Sequence, residues 1–133
     1  MTVERDNHSV YQINYHFVFV PKHRKKILVG GVETRVRKEI KKTCKKYEYE
    51  IISLDIQPDH IHLFISSKPT SAPSEIARTI KSIVAKETFK KFPALRDDEF
   101  WGSEFWTNSY YVGTAGEVSS ETIKKYINRI KEL

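Results

Sequence analysis

The sequence predicts an α+β domain with a ferredoxin-like antiparallel sheet, helices on one face of that sheet and an added C-terminal helix. Its 133 residues are about the size of one domain. Hydrophobic periodicity gives the element order β-α-β-β-α-β-α, in which a short link makes the second and third strands a hairpin. Without a repeat or a linker, residues 1–133 are predicted to form one domain, with residues 1–9 flexible.

The first half of the chain contains one alternating segment and one segment of helical spacing. Residues 10–20 alternate, and one face of this predicted strand carries Tyr11, Ile13, Tyr15, Phe17 and Phe19. Its other face includes His16. A helix is predicted over residues 32–47, with an apolar stripe formed by Val32, Val36, Ile40, Cys44 and Tyr47.

The second half contains two strands that form a hairpin, then a helix, a strand and a helix. Strands are predicted over residues 50–56 and 60–66, joined by the turn Gln57-Pro58-Asp59. An amphipathic helix follows and ends at Pro93, and an aromatic-rich strand is predicted over residues 105–112. Gly113 and Gly116 then predict a flexible connection to a last helix, whose apolar stripe is Ile123, Ile127, Ile130 and Leu133.

The basic residues are concentrated in one segment of the chain. Residues 21–47 carry 11 basic and two acidic side chains, a net charge of +9, whereas the remainder carries 12 basic and 15 acidic side chains, a net charge of −3. Such a segment is typical of a solvated helix face or of a surface that binds a polyanion. The one-sided excess favours nucleic acid, with contacts predicted at Lys22, Arg24, Lys25 and Lys26.

Several classes of protein are excluded by composition. No apolar run approaches the roughly 20 residues that a membrane helix needs, and the polar N-terminus does not resemble a secretory signal. The single cysteine, Cys44, cannot form an internal disulfide or a Cys-rich zinc site. We therefore expect a cytoplasmic protein that does not interact with membranes.

His60-Ile61-His62 is the local motif that most strongly indicates chemistry. Residues two apart in a strand point to the same face, so His60 and His62 project together and could bind one divalent cation. The alternative is a pair of surface or packed histidines. Tyr126 falls within the apolar stripe of the last helix, and this pattern by itself favours a half-buried tyrosine that anchors the helix.

Five short stretches occur in order along the chain and together resemble one known family. They are Tyr15-His16-Phe17-Val18-Phe19-Val20-Pro21-Lys22, Pro58-Asp59-His60-Ile61-His62-Leu63, Phe100-Trp101-Gly102 with Phe105-Trp106, Tyr111-Val112-Gly113-Thr114, and Tyr126-Ile127. The set resembles the single-tyrosine HUH transposases of the insertion sequence 200/605 type, where HUH denotes His, a bulky hydrophobe and His. The resemblance extends from about Tyr11 to the end of the chain.

The resemblance implies an enzyme that cleaves and rejoins single-stranded DNA at the ends of an insertion sequence. Tyr126 matches the nucleophile, which keeps the 5′ phosphate as a phosphotyrosine. His60 and His62 match the ligands of a divalent metal, Mg²⁺ or Mn²⁺. The implied partners are DNA hairpins near the element ends and a second subunit, because members of this family often form homodimers with shared active sites.

One position departs from the family pattern. Many members carry a glutamine four residues after the tyrosine as a third metal ligand, and here that position is Ile130. Asn128 lies about 200° round the helix from Tyr126 and cannot simply replace this glutamine. Either another group, with Asp59 as a candidate, or water is then expected to complete the metal shell. The alternatives are a catalytically weakened or domesticated relative that binds nucleic-acid hairpins, a related HUH nickase, and a ferredoxin-like interaction module.

Overall fold

Four antiparallel strands form the central sheet of the computed structural model, which describes residues 4, 5, 10, 11, 13–97, 104–114 and 128. Two short strands come first, β1 (Glu4–Arg5) and β2 (Val10–Tyr11), and they pair only with each other. The sheet itself consists of β3 (Ile13–Phe19), β4 (Glu50–Gln57), β5 (His60–Ser67) and β6 (Tyr111–Thr114). The predicted flexibility of residues 1–9 stays a prediction.

The strand order in this sheet is β4-β5-β3-β6, with every neighbouring pair antiparallel. This order follows from the predicted sequence of elements, because each strand–helix–strand crossover skips one position in the sheet. Strand β5 fills the position between β3 and β4, and β3 lies between β5 and β6. The predicted ferredoxin-like α+β class is therefore confirmed. Strand β5 lies between β3 and β4, and Leu63 at its centre pairs with Phe17 on one side and Leu54 on the other.

Two long helices cover one face of the sheet. They are α1 (Gly30–Lys46) and α2 (Pro73–Lys91), followed by the short α3 (Ala94–Asp97), and a 3₁₀ turn spans Lys22–Arg24. Pro73 begins α2, where its missing N–H costs no hydrogen bond. In the part of the chain that the structure describes, no helix is long and apolar enough to cross a membrane.

The hydrophobic core lies between these helices and the inward face of the sheet. Phe17 and Phe19 of β3 stack at 5.6 Å between ring centroids, and both are fully buried. The strand β5 contributes Ile61, Leu63 and Ile65, and the helices contribute Val36, Ile40, Ile76, Ile80 and Val84. The period-2 and period-3.6 patterns of the sequence therefore meet in a single core.

The prediction of a strand over residues 105–112 is wrong before Tyr111, where β6 begins. The Lys22 N–H donates a hydrogen bond to the Phe105 carbonyl, and the Thr107 N–H donates one to the Val20 carbonyl. The Lys81 ammonium donates to the Thr107 carbonyl. These bonds hold the segment before Tyr111 as an irregular connection. The predicted flexible connection is also displaced, because Gly113 lies inside β6 opposite His16; Gly116 is outside the described residues.

The Ile61→Ala variant tests the packing of β5. Ile61 is fully buried between the sheet and the helices, so its truncation is expected to lower the free energy of unfolding by about 2–5 kcal/mol. Urea denaturation followed by circular dichroism measures the change. Val29, which is 51% exposed, is the control, because Val29→Ala is expected to change the stability by less than about 0.5 kcal/mol. Equal effects of the two substitutions would contradict this packing.

Candidate functional site

The two histidines of the HUH motif lie on the face of the sheet that α1 and α2 leave uncovered. Alternation along β5 sends Ile61 and Leu63 into the core and sends His60 and His62 to the opposite face. Their ring centroids are 4.9 Å apart with an interplanar angle of 83°. The structure therefore brings together the two predicted ligands.

A third histidine, His16, lies beside this pair. Its Nε2 is 3.2 Å from Nδ1 of His62, a hydrogen-bond distance, and the two ring centroids are 5.3 Å apart. Strands β3 and β5 are neighbours, and their register pairs His62 with Val18 and His16 with Phe64, so the two imidazoles are diagonal neighbours on one face. The sequence placed His16 on the non-core face but gave no reason to associate it with this site.

Asp59, the residue before His60, contacts the Nδ1 edge of the His60 ring. Its Oδ1 is 2.8 Å from His60 Nδ1, and its Oδ2 accepts a hydrogen bond from Arg24 Nε at 2.6 Å. The burial of Asp59 acts to raise the pKa of its carboxyl, but hydrogen bonds from His60 and Arg24 and the Arg24 charge outweigh this effect and lower that pKa. A charged carboxylate is thus held against the ring edge of His60.

The electrostatics of the site favour the neutral forms of His16 and His62. Burial lowers the pKa of His16. Burial also lowers the pKa of His62, and the nearby His60 and His16 lower it further, whereas Asp55 acts in the opposite direction. Because a metal binds the deprotonated ring nitrogen, these pKa shifts keep the lone pair of His62 available at neutral pH.

The donor set fits a divalent metal that takes part of its coordination from elsewhere. The bonds that described residues make to His60 and His62 fall on Nδ1 of each ring, so Nε2 is the nitrogen that each ring would offer to a metal. Within the described ranges, no three His, Cys, Asp or Glu side chains converge into a closed site. A Mg²⁺ or Mn²⁺ ion suits such an open pair, because these cations keep water and bind phosphate oxygens.

Strand β4 presents further polar side chains on the same face. Its register pairs Asp55 with His62 and Gln57 with His60. The Gln57 amide donates to both Asp55 carboxylate oxygens at 3.1 Å. Beside the histidines, the face opposite α1 and α2 therefore presents polar side chains from β4, which suits a charged substrate.

The predicted DNA contacts of the loop lie next to this site, whereas most of the basic helix lies across the sheet from it. Lys22 is 3.6 Å from Glu104, Arg24 is paired with Asp59, Lys25 is half-buried and Lys26 is exposed. On α1 the exposed lysines are Lys38, Lys41, Lys42, Lys45 and Lys46. Because α1 packs on the opposite face of the sheet, these lysines are separated from the histidines by the sheet itself.

The predicted nucleophile Tyr126 lies outside the described residues, as does Ile130 at the position where many family members carry glutamine. The site that the structure shows is therefore the sheet half of the predicted centre. It contains three of the predicted groups: His60, His62 and Asp59, whose predicted place in the metal shell stays a prediction and whose carboxylate contacts His60 Nδ1.

Comparison with known proteins identifies relatives along nearly the whole chain. The family model for IS200-like transposases matches residues 9–130. The chain is 31% identical over 118 residues to the ISDra2 transposase TnpA of Deinococcus radiodurans, which covers 89% of this chain and 84% of that protein. It is 28% identical over 120 residues to the transposase for insertion sequence element IS200 of Salmonella typhimurium, covering 90% of this chain and 78% of that protein.

Solved structures share the fold. A Deinococcus radiodurans protein described as a candidate transposase superposes with a TM-score of 0.89 at 26% identity, covering 96% of this chain and 97% of that one. A REP-associated tyrosine transposase bound to a REP hairpin gives a TM-score of 0.55 at 17% identity, covering 98% of this chain and 68% of that one. The second likeness concerns the fold alone.

The pKa shifts predict how the metal-free site titrates. His16 and His62 are expected to titrate below 6.5, the ordinary histidine value. Their neutral forms therefore contribute stability that is present above pH 6.5 and is lost as the pH falls through the lower folded-state values. NMR titration of the histidine ring signals checks this, with the urea-unfolded protein as the reference. Folded-state values at or above the unfolded ones would contradict the expected burial of these rings.

Proposed function

Because the chain belongs to the IS200-like transposase family, we propose that it cleaves and rejoins single-stranded DNA at the ends of an insertion sequence. One observation carries the proposal for this chain. His60 and His62 project together from β5 onto the face opposite α1 and α2, and the bonds from described residues fall on Nδ1 of each ring, which would leave Nε2 to bind a metal.

The proposed reaction is a transesterification at a DNA phosphodiester. The Tyr126 phenol loses its proton and its oxygen attacks the phosphorus, the bond from phosphorus to the 3′ oxygen breaks, and that oxygen takes up a proton. The 5′ phosphate stays on Tyr126, and the 3′ hydroxyl of another DNA end reverses the reaction to join new strands. Since the phosphotyrosine conserves the bond energy, joining needs no nucleotide cofactor.

The histidines would hold the divalent metal, Mg²⁺ or Mn²⁺. When bound, this metal polarises the scissile phosphate and stabilises the departing 3′ oxyanion. A phenol with a pKa near 10 is a weak nucleophile at neutral pH, so such assistance matters. With Ile130 in place of glutamine, water and phosphate oxygens complete the coordination in this proposal.

Basic side chains on both sides of the sheet support a single-stranded DNA partner. Lys22, Lys25 and Lys26 lie on the loop that contacts the Asp59 turn, where they can bind the phosphates that flank the scissile bond. The exposed lysines of α1 provide a second surface, which suits the hairpins near the element ends. We further propose a homodimer in which the two subunits share active sites, as the family resemblance implies.

Tyr126→Phe tests the nucleophile. With single-stranded DNA of an element end and Mn²⁺, the wild-type protein is expected to form a covalent adduct that migrates as a shifted band in denaturing gels. Removal of the phenol oxygen abolishes the adduct because no other group in the proposed reaction attacks the phosphorus. Tyr47→Phe is the matched control, since Tyr47 is a surface phenol, 42% exposed, and the adduct should persist.

Two other outcomes would contradict part or all of this proposal. An adduct that survives Tyr126→Phe assigns the attack to another residue. Tight hairpin binding by the wild-type protein without any Mn²⁺-dependent adduct favours the hairpin-binding relative. In either case the DNA affinity should fall steeply as salt rises, whereas a general interaction module would not show this dependence.

A further inference from the structure

We infer that Arg24 and Asp59 are positioning residues that fix His60 as a metal ligand, so that Arg24 acts on the metal site rather than on DNA. The inference rests on the proposed metal site, and in it Asp59 acts through His60 rather than as a metal ligand itself. It connects the basic loop of residues 22–26 to the histidine pair through two consecutive hydrogen bonds, one from Arg24 to Asp59 and one between Asp59 and His60.

The contact between Asp59 and His60 selects one form of the imidazole. A carboxylate only accepts hydrogen bonds, so the 2.8 Å contact between Asp59 Oδ1 and His60 Nδ1 requires the proton to lie on Nδ1. The lone pair is then on Nε2. Such carboxylate–histidine pairs are a general means of fixing both the ring orientation and the tautomer of a metal ligand.

Arg24 holds the carboxylate in turn. Its Nε donates to Asp59 Oδ2 at 2.6 Å, so each carboxylate oxygen has its own partner and the carboxylate cannot rotate without losing a bond. Asp59 is only 8% exposed, and a charged hydrogen bond of this kind is stronger when water is largely excluded. Asp59 therefore contacts His60 as a fixed acceptor.

The backbone of the loop is shaped to present Arg24 to Asp59. His23 and Arg24 both adopt left-handed conformations, with φ of 60° and 52°. Non-glycine residues in this region are strained, and they persist only where the surrounding structure holds them. Here the Arg24 N–H donates to the Pro21 carbonyl at 2.8 Å, and the Leu28 N–H donates to the Pro58 carbonyl at 3.0 Å, which docks the loop on the Asp59 turn.

The position of Arg24 differs from that of Lys26 in the same loop. The Arg24 side chain is 24% exposed and paired with a buried carboxylate, whereas Lys26 is exposed to solvent. Both residues were predicted from the sequence to contact DNA. The structure separates them, because the guanidinium of Arg24 faces the metal-site turn while Lys26 is open to a phosphate. Loss of the Arg24 charge should therefore affect the metal site, whereas loss of the Lys26 charge should affect DNA binding.

The experiment compares Mn²⁺ affinity without DNA, measured by EPR, for the wild type and four variants checked for folding by circular dichroism. Arg24→Gln is expected to weaken Mn²⁺ binding about 10–100-fold, the range for loss of a residue that orients a metal ligand. Arg24→Lys should recover part of this loss because it keeps the charge. Lys26→Gln removes the same charge from the same loop and should leave Mn²⁺ affinity unchanged. His60→Ala should abolish tight binding.

NMR of ¹⁵N-labelled histidine gives a second readout that does not depend on metal. His60 should show a protonated Nδ1 in the wild type and in Lys26→Gln, and a mixture of tautomers in Arg24→Gln and Asp59→Ala. If Arg24→Gln changes neither the tautomer nor the Mn²⁺ affinity and weakens DNA binding as Lys26→Gln does, the inference is wrong and Arg24 is a DNA contact. If His60→Ala also leaves Mn²⁺ affinity unchanged, the proposed metal site itself fails.

Discussion

Strand β5 is hydrogen-bonded on both edges, and these two ladders determine where every side chain of the HUH motif points. Pairing with β3 and β4 fixes the register, so Ile61 enters the core and His60 and His62 reach the face opposite α1 and α2. A shift of one residue would bury both imidazoles against the helices and expose the isoleucine. Burial of the apolar side chains of β5 in the core therefore also fixes the positions of the two histidines in the candidate metal site.

The turn between β4 and β5 links this site to the basic loop. Asp59 lies on that turn and contacts both His60 and Arg24, and the Leu28 backbone bonds to Pro58. The loop that carries Lys26 is thus docked on the turn that contacts His60. The lysines of α1 lie across the sheet, which divides the basic surface that looked continuous in the sequence into two separate regions.

Periodicity predicted most of the fold, because a strand or helix with one buried face repeats its apolar residues at a fixed spacing. It failed where apolar residues continue beyond an element: Tyr47 extends the stripe of α1, yet the helix ends at Lys46 and Tyr47 is 42% exposed. His60 and His62 could be predicted since they are two residues apart. His16 could not, because its contact with His62 joins residues 46 apart and depends on which strands pair.

The central claim is that His60 and His62 bind one divalent metal through Nε2. Pulsed EPR of Mn²⁺ bound to protein with ¹⁵N-labelled histidine tests it most directly, because the coupling between the unpaired electrons and nitrogen reports direct coordination. Two coupled imidazole nitrogens are expected in the wild type, one in His62→Gln and none in the His60→Gln/His62→Gln double variant. Bound Mn²⁺ without histidine coupling, or coupling that persists in the double variant, would contradict it.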